Sequence, residues 1–151
     1  ADMPSSGVAE YISQQKSRFY PHALASNDVL VTADTVVIVD DTILGKPTDE
    51  QDAVRMLQLL SGRAHQVITG VTLRTAERER SFSVESRVVF RTLSDEEIAY
   101  YIREYRPFDK AGAYGIQEWI GYVAIESIEG SFFNVMGLPV QKLYVELDKF
   151  L

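Results

Sequence analysis

Asp34 stands inside a run of apolar and β-branched residues, Val29-Leu30-Val31-Thr32-Ala33-Asp34-Thr35-Val36-Val37-Ile38-Val39. Such a run reads as a buried strand, where an ionised carboxylate is unfavourable unless it is paired or holds a cation. Two later segments carry groups that could partner it. Lys46 sits between Gly45 and Pro47, and Lys110 lies in the polar, glycine-punctuated stretch Asp109-Lys110-Ala111-Gly112-Ala113-Tyr114-Gly115-Ile116-Gln117. A carboxylate suited to a divalent cation, lysines that neutralise phosphates and small residues that admit a polyanion to backbone N–H groups together point to nucleotide phosphate chemistry.

Each residue also has a plainer use. Asp34 reads as well as a structural carboxylate hydrogen-bonded by Thr32, Thr35 or backbone amides. Lys46 and Lys110 match ordinary surface lysines, and Gly112 and Gly115 match simple turn glycines. His65, beside a strand start, reads as a hydrogen-bonded structural histidine rather than a ligand, and Tyr114, Trp119 and Tyr122 as core or rim aromatics. It is the order and spacing of these residues together that carry the signal.

The elements that must position them follow from periodicity and caps. Val8 to Tyr20 predicts a helix with Val8, Ile12 and Phe19 on one face, which turns Lys16 towards the buried side, where a lysine commonly snorkels its ammonium to water. The Asp34 strand, an Asp40-Asp41 turn and Thr42 to Gly45 predict a β-hairpin with Lys46 just past its end. Thr48 and Gln51 form a capping-box pattern for a helix with Ala53, Met56, Leu57 and Leu60 on its apolar stripe, ended by Gly62. Val67 to Arg74 and Phe82 to Phe90 predict a strand pair. Ser94 and Glu97 open a further helix through Ile98, Tyr101, Ile102 and Tyr105, closed by Pro107. A strand over Tyr122 to Ile128, a Gly130-Ser131 turn and a helix from Val140 to about Phe150 complete the pattern. This is an α/β domain built on a twisted mixed sheet flanked by helices.

Composition bounds the function. The 151 residues, 46% hydrophobic, suffice for one domain with a real core. Fifteen basic residues against 22 acidic ones give a net charge of −7 with no cationic block, which argues against a nucleic-acid polymer as partner. The chain has no cysteine and only His22 and His65, so disulfides, Cys-based zinc sites and a histidine-rich metal site are out of reach. No stretch has the apolar length of a transmembrane helix and no signal-peptide pattern opens the chain, so the default expectation is a cytoplasmic location without membrane contact. P-loop, Rossmann, serine-hydrolase and zincin motifs are all missing.

Taken together, Ala33-Asp34-Thr35-Val36-Val37, Leu44-Gly45-Lys46-Pro47, Leu60 to Val71, Asp109 to Gln117 and Asn134-Val135-Met136-Gly137-Leu138-Pro139 resemble the Maf family of nucleoside triphosphate pyrophosphatases, in register from about Val8 to the last helix. The resemblance implies a mixed α/β fold related to inosine triphosphate pyrophosphatases, often dimeric. It implies hydrolysis of a nucleoside triphosphate to the monophosphate and pyrophosphate with Mg²⁺ or Mn²⁺. Asp34 then matches the catalytic acid/base and metal-associated carboxylate. Lys16 and Lys46 match the phosphate-contacting lysines, with Lys110 adding positive charge. Thr35 and Gln117 match the markers of the branch that prefers dTTP and UTP. Glutamine offers both an amide donor and a carbonyl acceptor to the uracil or thymine edge, whereas Thr35, next to Asp34, faces the opposite side of an ideal strand.

The departure from the family pattern is at the front, where the S-x-S-P-R-R loop has no counterpart. The expectation is therefore a single Maf-like domain over residues 1–151, missing its N-terminal strand and phosphate-binding loop. A non-catalytic nucleotide-binding or cell-division-linked interaction module is the alternative of another class. An inosine-triphosphate-type enzyme with a different base preference is a third.

Overall fold

The computed structural model describes residues 3–151. Strand β1, Leu30–Val39, turns back on β2, Thr42–Leu44, through Asp40 and Asp41. Both turn residues have positive φ, the backbone twist that a two-residue hairpin needs and that aspartate tolerates better than bulky residues. β3, Ala64–Arg74, and β4, Glu79–Phe90, extend the sheet, and β5, Ile125–Glu129, closes it in the order β2-β1-β3-β4-β5. All four pairings are antiparallel, whereas a mixed sheet is expected from the sequence. Short turns join β1 to β2 and β3 to β4, which makes antiparallel neighbours of them, and the sequence contains no signal that orders the other two pairings.

The register places Asp34 opposite Gly70 and Thr35 opposite Thr69. Because β2 spans only three residues and pairs only with Val37 to Val39, the Leu30 to Val36 part of β1 has no strand on its outer side among the described residues. Asp34 is thus half-buried beside an opening, not enclosed in the strand-rich interior.

Helix α1, Val8–Arg18, lies across β1 and β3, where Ala9 joins Val36, Ile38 and Ile68 in a small core. Its buried face is Ala9, Ser13 and Ser17, not the stripe of Val8, Ile12 and Phe19 expected from hydrophobicity, and Phe19 is 79% exposed. The reason is distance. A Cβ on Gly70 would stand 2.3 Å from the Glu10 backbone, so the helix rests almost on the strand and only small residues fit between them. Ser13 and Thr32 satisfy their polar atoms across this contact, Ser13 with Thr72 at 2.7 Å and Thr32 by donating to the Ser13 carbonyl at 2.7 Å.

The other face of the sheet carries the main core. Val37, Val39 and Val67 pack there against Met56, Leu57 and Leu60 of α2, Glu50–Leu60, and against Ile98, Tyr101 and Ile102 of α3, Asp95–Tyr105. The α3 capping box is as expected, with Ser94 accepting from the Glu97 N–H and Glu97 reaching back to the Ser94 N–H. The α2 cap is shifted by one residue. Asp49 accepts from the Asp52 N–H at 2.8 Å, while the Asp52 carboxylate takes the Thr48 N–H, so aspartates fill the roles expected of Thr48 and Gln51.

Two further differences lie near the C-terminus. The strand expected from Tyr122 begins only at Ile125, because Trp119–Ala124 form a short helix, α4, whose Gly121 sits so close to the Ile116 carbonyl that no side chain fits. Phe132–Met136 form another short helix, α5, capped by Ser131, and α6, Val140–Phe150, packs Phe150 on Val71, Leu73 and Phe82.

Candidate active site

Lys16 projects from the last turn of α1 over the exposed edge of β1. Its Nζ donates to Asp34 Oδ1 at 3.0 Å and to the Ala33 carbonyl at 3.0 Å. The partner that Asp34 requires is therefore this helix lysine and not Lys46 or Lys110, and the contact depends on the close seating of α1 on Gly70. Among the described residues the other Asp34 oxygen takes no hydrogen bond, and Asp34 lines a cleft.

That cleft has a volume of about 330 Å³, and Lys16, Asp34, Thr35, Lys46, Lys110 and Gln117 all line it. Every residue expected from the sequence to act on or bind the nucleotide is thus brought to one place. Asp109, Tyr114, Val67 and the Val135-Met136-Gly137 segment complete the lining. The three lysines come from α1, from the end of the β1–β2 hairpin and from the loop after α3.

The hairpin and the loop are joined by their backbones, since the Gly112 N–H donates to the Gly45 carbonyl at 3.1 Å. Gly112 has φ 71°, and a Cβ there would press on Val37 at 3.0 Å, so both conformation and space require glycine. Lys46 and Lys110 flank Asp109. The Lys110 ammonium beside Asp109, at 3.3 Å, together with the Lys46 charge, holds the Asp109 carboxyl below its ordinary range.

Tyr114 is buried and its hydroxyl meets His65 Nε2 at 2.6 Å, which ties the loop to the start of β3. His65 is the structural histidine that its position suggests. Burial pushes its imidazole down to about 4, so it is neutral near pH 7, and burial pushes the Tyr114 hydroxyl above its ordinary range.

Thr35 faces away from Asp34, as alternation along a strand requires. Its hydroxyl shares a hydrogen bond with Thr69 Oγ1 at 2.9 Å and donates to the Gly137 carbonyl at 3.3 Å, so it steadies the Met136-Gly137 wall of the cleft. Asn134, fully buried, clamps the same wall to the sheet through the carbonyls of Val67 and Val84, each at 3.1 Å. Asn134 and Gly70 act behind the site; both fall in segments that carry the family resemblance, but the sequence assigns neither of them this role.

The family profile described as Maf-like protein matches residues 2–150. The chain belongs to the Maf family. Its similar relatives include a Bacteroides thetaiotaomicron protein named dTTP/UTP pyrophosphatase, 53% identical over 149 residues, which are 99% of this chain and 77% of that one. A Porphyromonas gingivalis protein of the same name is 57% identical over 95% of this chain and 73% of its own length. A Flavobacterium psychrophilum protein, also so named, is 46% identical over 93% of this chain and 72% of its own. The cleft is built from the segments that carry the resemblance to the Maf family, which gives those segments a common physical purpose.

Proposed function

We propose that this chain hydrolyses dTTP and UTP between the α and β phosphates, releasing the nucleoside monophosphate and pyrophosphate, and that it does so as one Maf-like domain. The observation that carries the reading is the convergence of Lys16, Lys46 and Lys110 around Asp34 in a single cleft, within a family whose relatives bear that activity in their names.

In this reading Asp34 accepts a proton from water through the oxygen that Lys16 leaves free. The water oxygen bonds to the α-phosphorus as the bond to the bridging oxygen breaks, and the proton passes to the carboxylate. Lys46 and Lys110, which line the same cleft, meet the β and γ phosphates in this reading and offset the charge that moves onto the leaving pyrophosphate. Lys16 has a double task, since it orients Asp34 and can share its ammonium with a phosphate oxygen. Alignment and charge neutralisation do most of the work, as in other phosphoryl transfers. No covalent nucleophile is needed.

A divalent cation fits the donor set on one condition. Among the described residues no three His, Cys, Asp or Glu side chains gather as a metal cluster. Asp34 Oδ1, the oxygen that also accepts from Lys16, would hold Mg²⁺ or Mn²⁺, with the remaining ligands drawn from substrate phosphates and water, the usual habit of Mg²⁺. When bound, the cation polarises the phosphoryl oxygens.

Gln117 is exposed at the cleft wall, where it is free to pair with the base, and Thr35 influences base choice through the wall that it steadies. The homodimer implied by the family is part of the proposal and is tested by sedimentation velocity. So is a cytoplasmic setting; no helix among the described residues is long and apolar enough to cross a membrane. Phosphorus NMR of the protein with dTTP and Mg²⁺ is the direct test, with dTMP and pyrophosphate expected as the first products. Orthophosphate with dTDP would overturn the site of cleavage, and binding without turnover would favour the non-catalytic module.

A further inference from the structure

The cleft loop is held from behind by a second contact, which neither the family pattern nor the proposed chemistry uses. Tyr101, on α3 and fully buried, donates its hydroxyl to Glu118 Oε1 at 2.5 Å and accepts the Gly115 N–H at 3.0 Å. One hydroxyl thus binds both ends of the segment that contains Gln117. Gly115 and Glu118 are also linked directly, since the Glu118 N–H donates to the Gly115 carbonyl at 3.0 Å. The same place guides Lys110. A Cβ on Gly115 would lie 2.6 Å from Lys110 Cε and 3.0 Å from Glu118 Oε1, so the lysine stem and the glutamate carboxylate pass close by the same glycine.

We infer that Tyr101 and Glu118 form a positioning latch that sets Gln117 against the base and Lys110 against the phosphates at the same time. Glu118 is a positioning residue here and touches no substrate. A turn of this length has many conformations, and two hydrogen bonds to one buried, ring-packed hydroxyl select one of them. The Tyr101 ring stacks with Tyr105 at 5.2 Å, so the hydroxyl is carried by a fixed plane. Binding benefits because the loop is ordered before the nucleotide arrives. The inference rests on the reading that Gln117 recognises the base.

Steady-state kinetics with UTP and CTP test it. Tyr101→Phe keeps the ring and removes the latch, and Glu118→Ala removes the acceptor from the half-buried end of the same latch. Each is expected to raise KM for UTP about tenfold, to lower the UTP to CTP ratio in kcat/KM, and to lower kcat severalfold as Lys110 loses its place beside the leaving pyrophosphate. Glu118→Gln retains an oxygen acceptor for the tyrosine hydroxyl and is expected to restore KM and the ratio. Faster hydrogen exchange at the Gly115 amide in Glu118→Ala supports the same conclusion without any appeal to activity. Unchanged KM and ratio in Glu118→Ala, while Gln117→Ala does lower the ratio, overturn the latch and leave the base reading intact. An unchanged ratio in Gln117→Ala itself overturns the base reading instead, and the Gly115 exchange then decides whether the latch orders the loop.

Discussion

A carboxylate in a strand rich in β-branched residues announces a need for a partner, and Asp34 meets that need with Lys16 at 3.0 Å. Asp34→Asn preserves shape and still accepts from Lys16, but it cannot take up a proton from water. Turnover of dTTP is expected to fall by roughly two or more orders of magnitude with Tm little changed. Activity within a few-fold of the parent would remove Asp34 from the mechanism. Gln117→Ala is a separate test, because Gln117 is exposed. Leaving the uracil edge without its partner costs about 1 to 3 kcal/mol, so the UTP to CTP ratio should narrow while the dependence on metal stays the same. Both residues were legible in the sequence by their motifs. The role of Thr35 was legible only in direction, since alternation turns it from Asp34 but cannot say that Thr69 and Gly137 receive it.

Among the elements, α1 shows why hydrophobic periodicity can mislead. The stripe of Val8, Ile12 and Phe19 suggests one buried face, yet the helix buries Ala9, Ser13 and Ser17, because close approach to Gly70 outweighs the larger apolar area. Gly70→Ala would force a Cβ into the Glu10 backbone and lift the helix. We expect a loss of about 1 to 3 kcal/mol in stability, together with lower kcat/KM as Lys16 moves from Asp34. Gly45→Ala is the control for stability, since a Cβ there meets nothing within 4 Å. Equal Tm for the two variants in thermal unfolding would show that the contact does not constrain α1. The capping box of α3 was legible because its signal is local. The pairing partners of β5 and the helical turn of α4 were not, because the β-branched residues over 120–128 fit both states, and the contacts that decide between them are a close approach of Gly121 to the Ile116 carbonyl and the distant Arg91 N–H that donates to the Ala124 carbonyl.

For the whole molecule, the buried His65 and Tyr114 pair makes acid stability a property of the fold. The His65 pKa falls from 6.5 to about 4 on folding because burial disfavours the charged imidazolium. The unfolded chain therefore binds the proton more readily, so the stabilising effect is complete above pH 6.5 and is lost as pH drops from 6.5 towards 4. Its full size is on the order of 3 kcal/mol. Glu97, which Arg91 holds at about 2, acts in a lower window, contributing above 4.5 and failing as pH falls from there. Thermal unfolding between pH 7 and pH 4.5 should show a decline in the parent protein that His65→Gln lacks. Parallel pH profiles would mean that His65 titrates no differently when folded.

By itself the sequence determined the family, the class of fold, the hairpin that carries Lys46 and every residue proposed to touch the nucleotide. These are set by local patterns: side-chain alternation, caps, turn residues and motif spacing, all of which are read over a few neighbouring positions. Only the tertiary structure decided that Asp34 pairs with Lys16, that the sheet is antiparallel throughout its described strands, and that Asn134, Tyr101 and Glu118 hold the cleft from behind. Those contacts join residues far apart along the chain, and their energies depend on distances of closest approach that no single segment encodes.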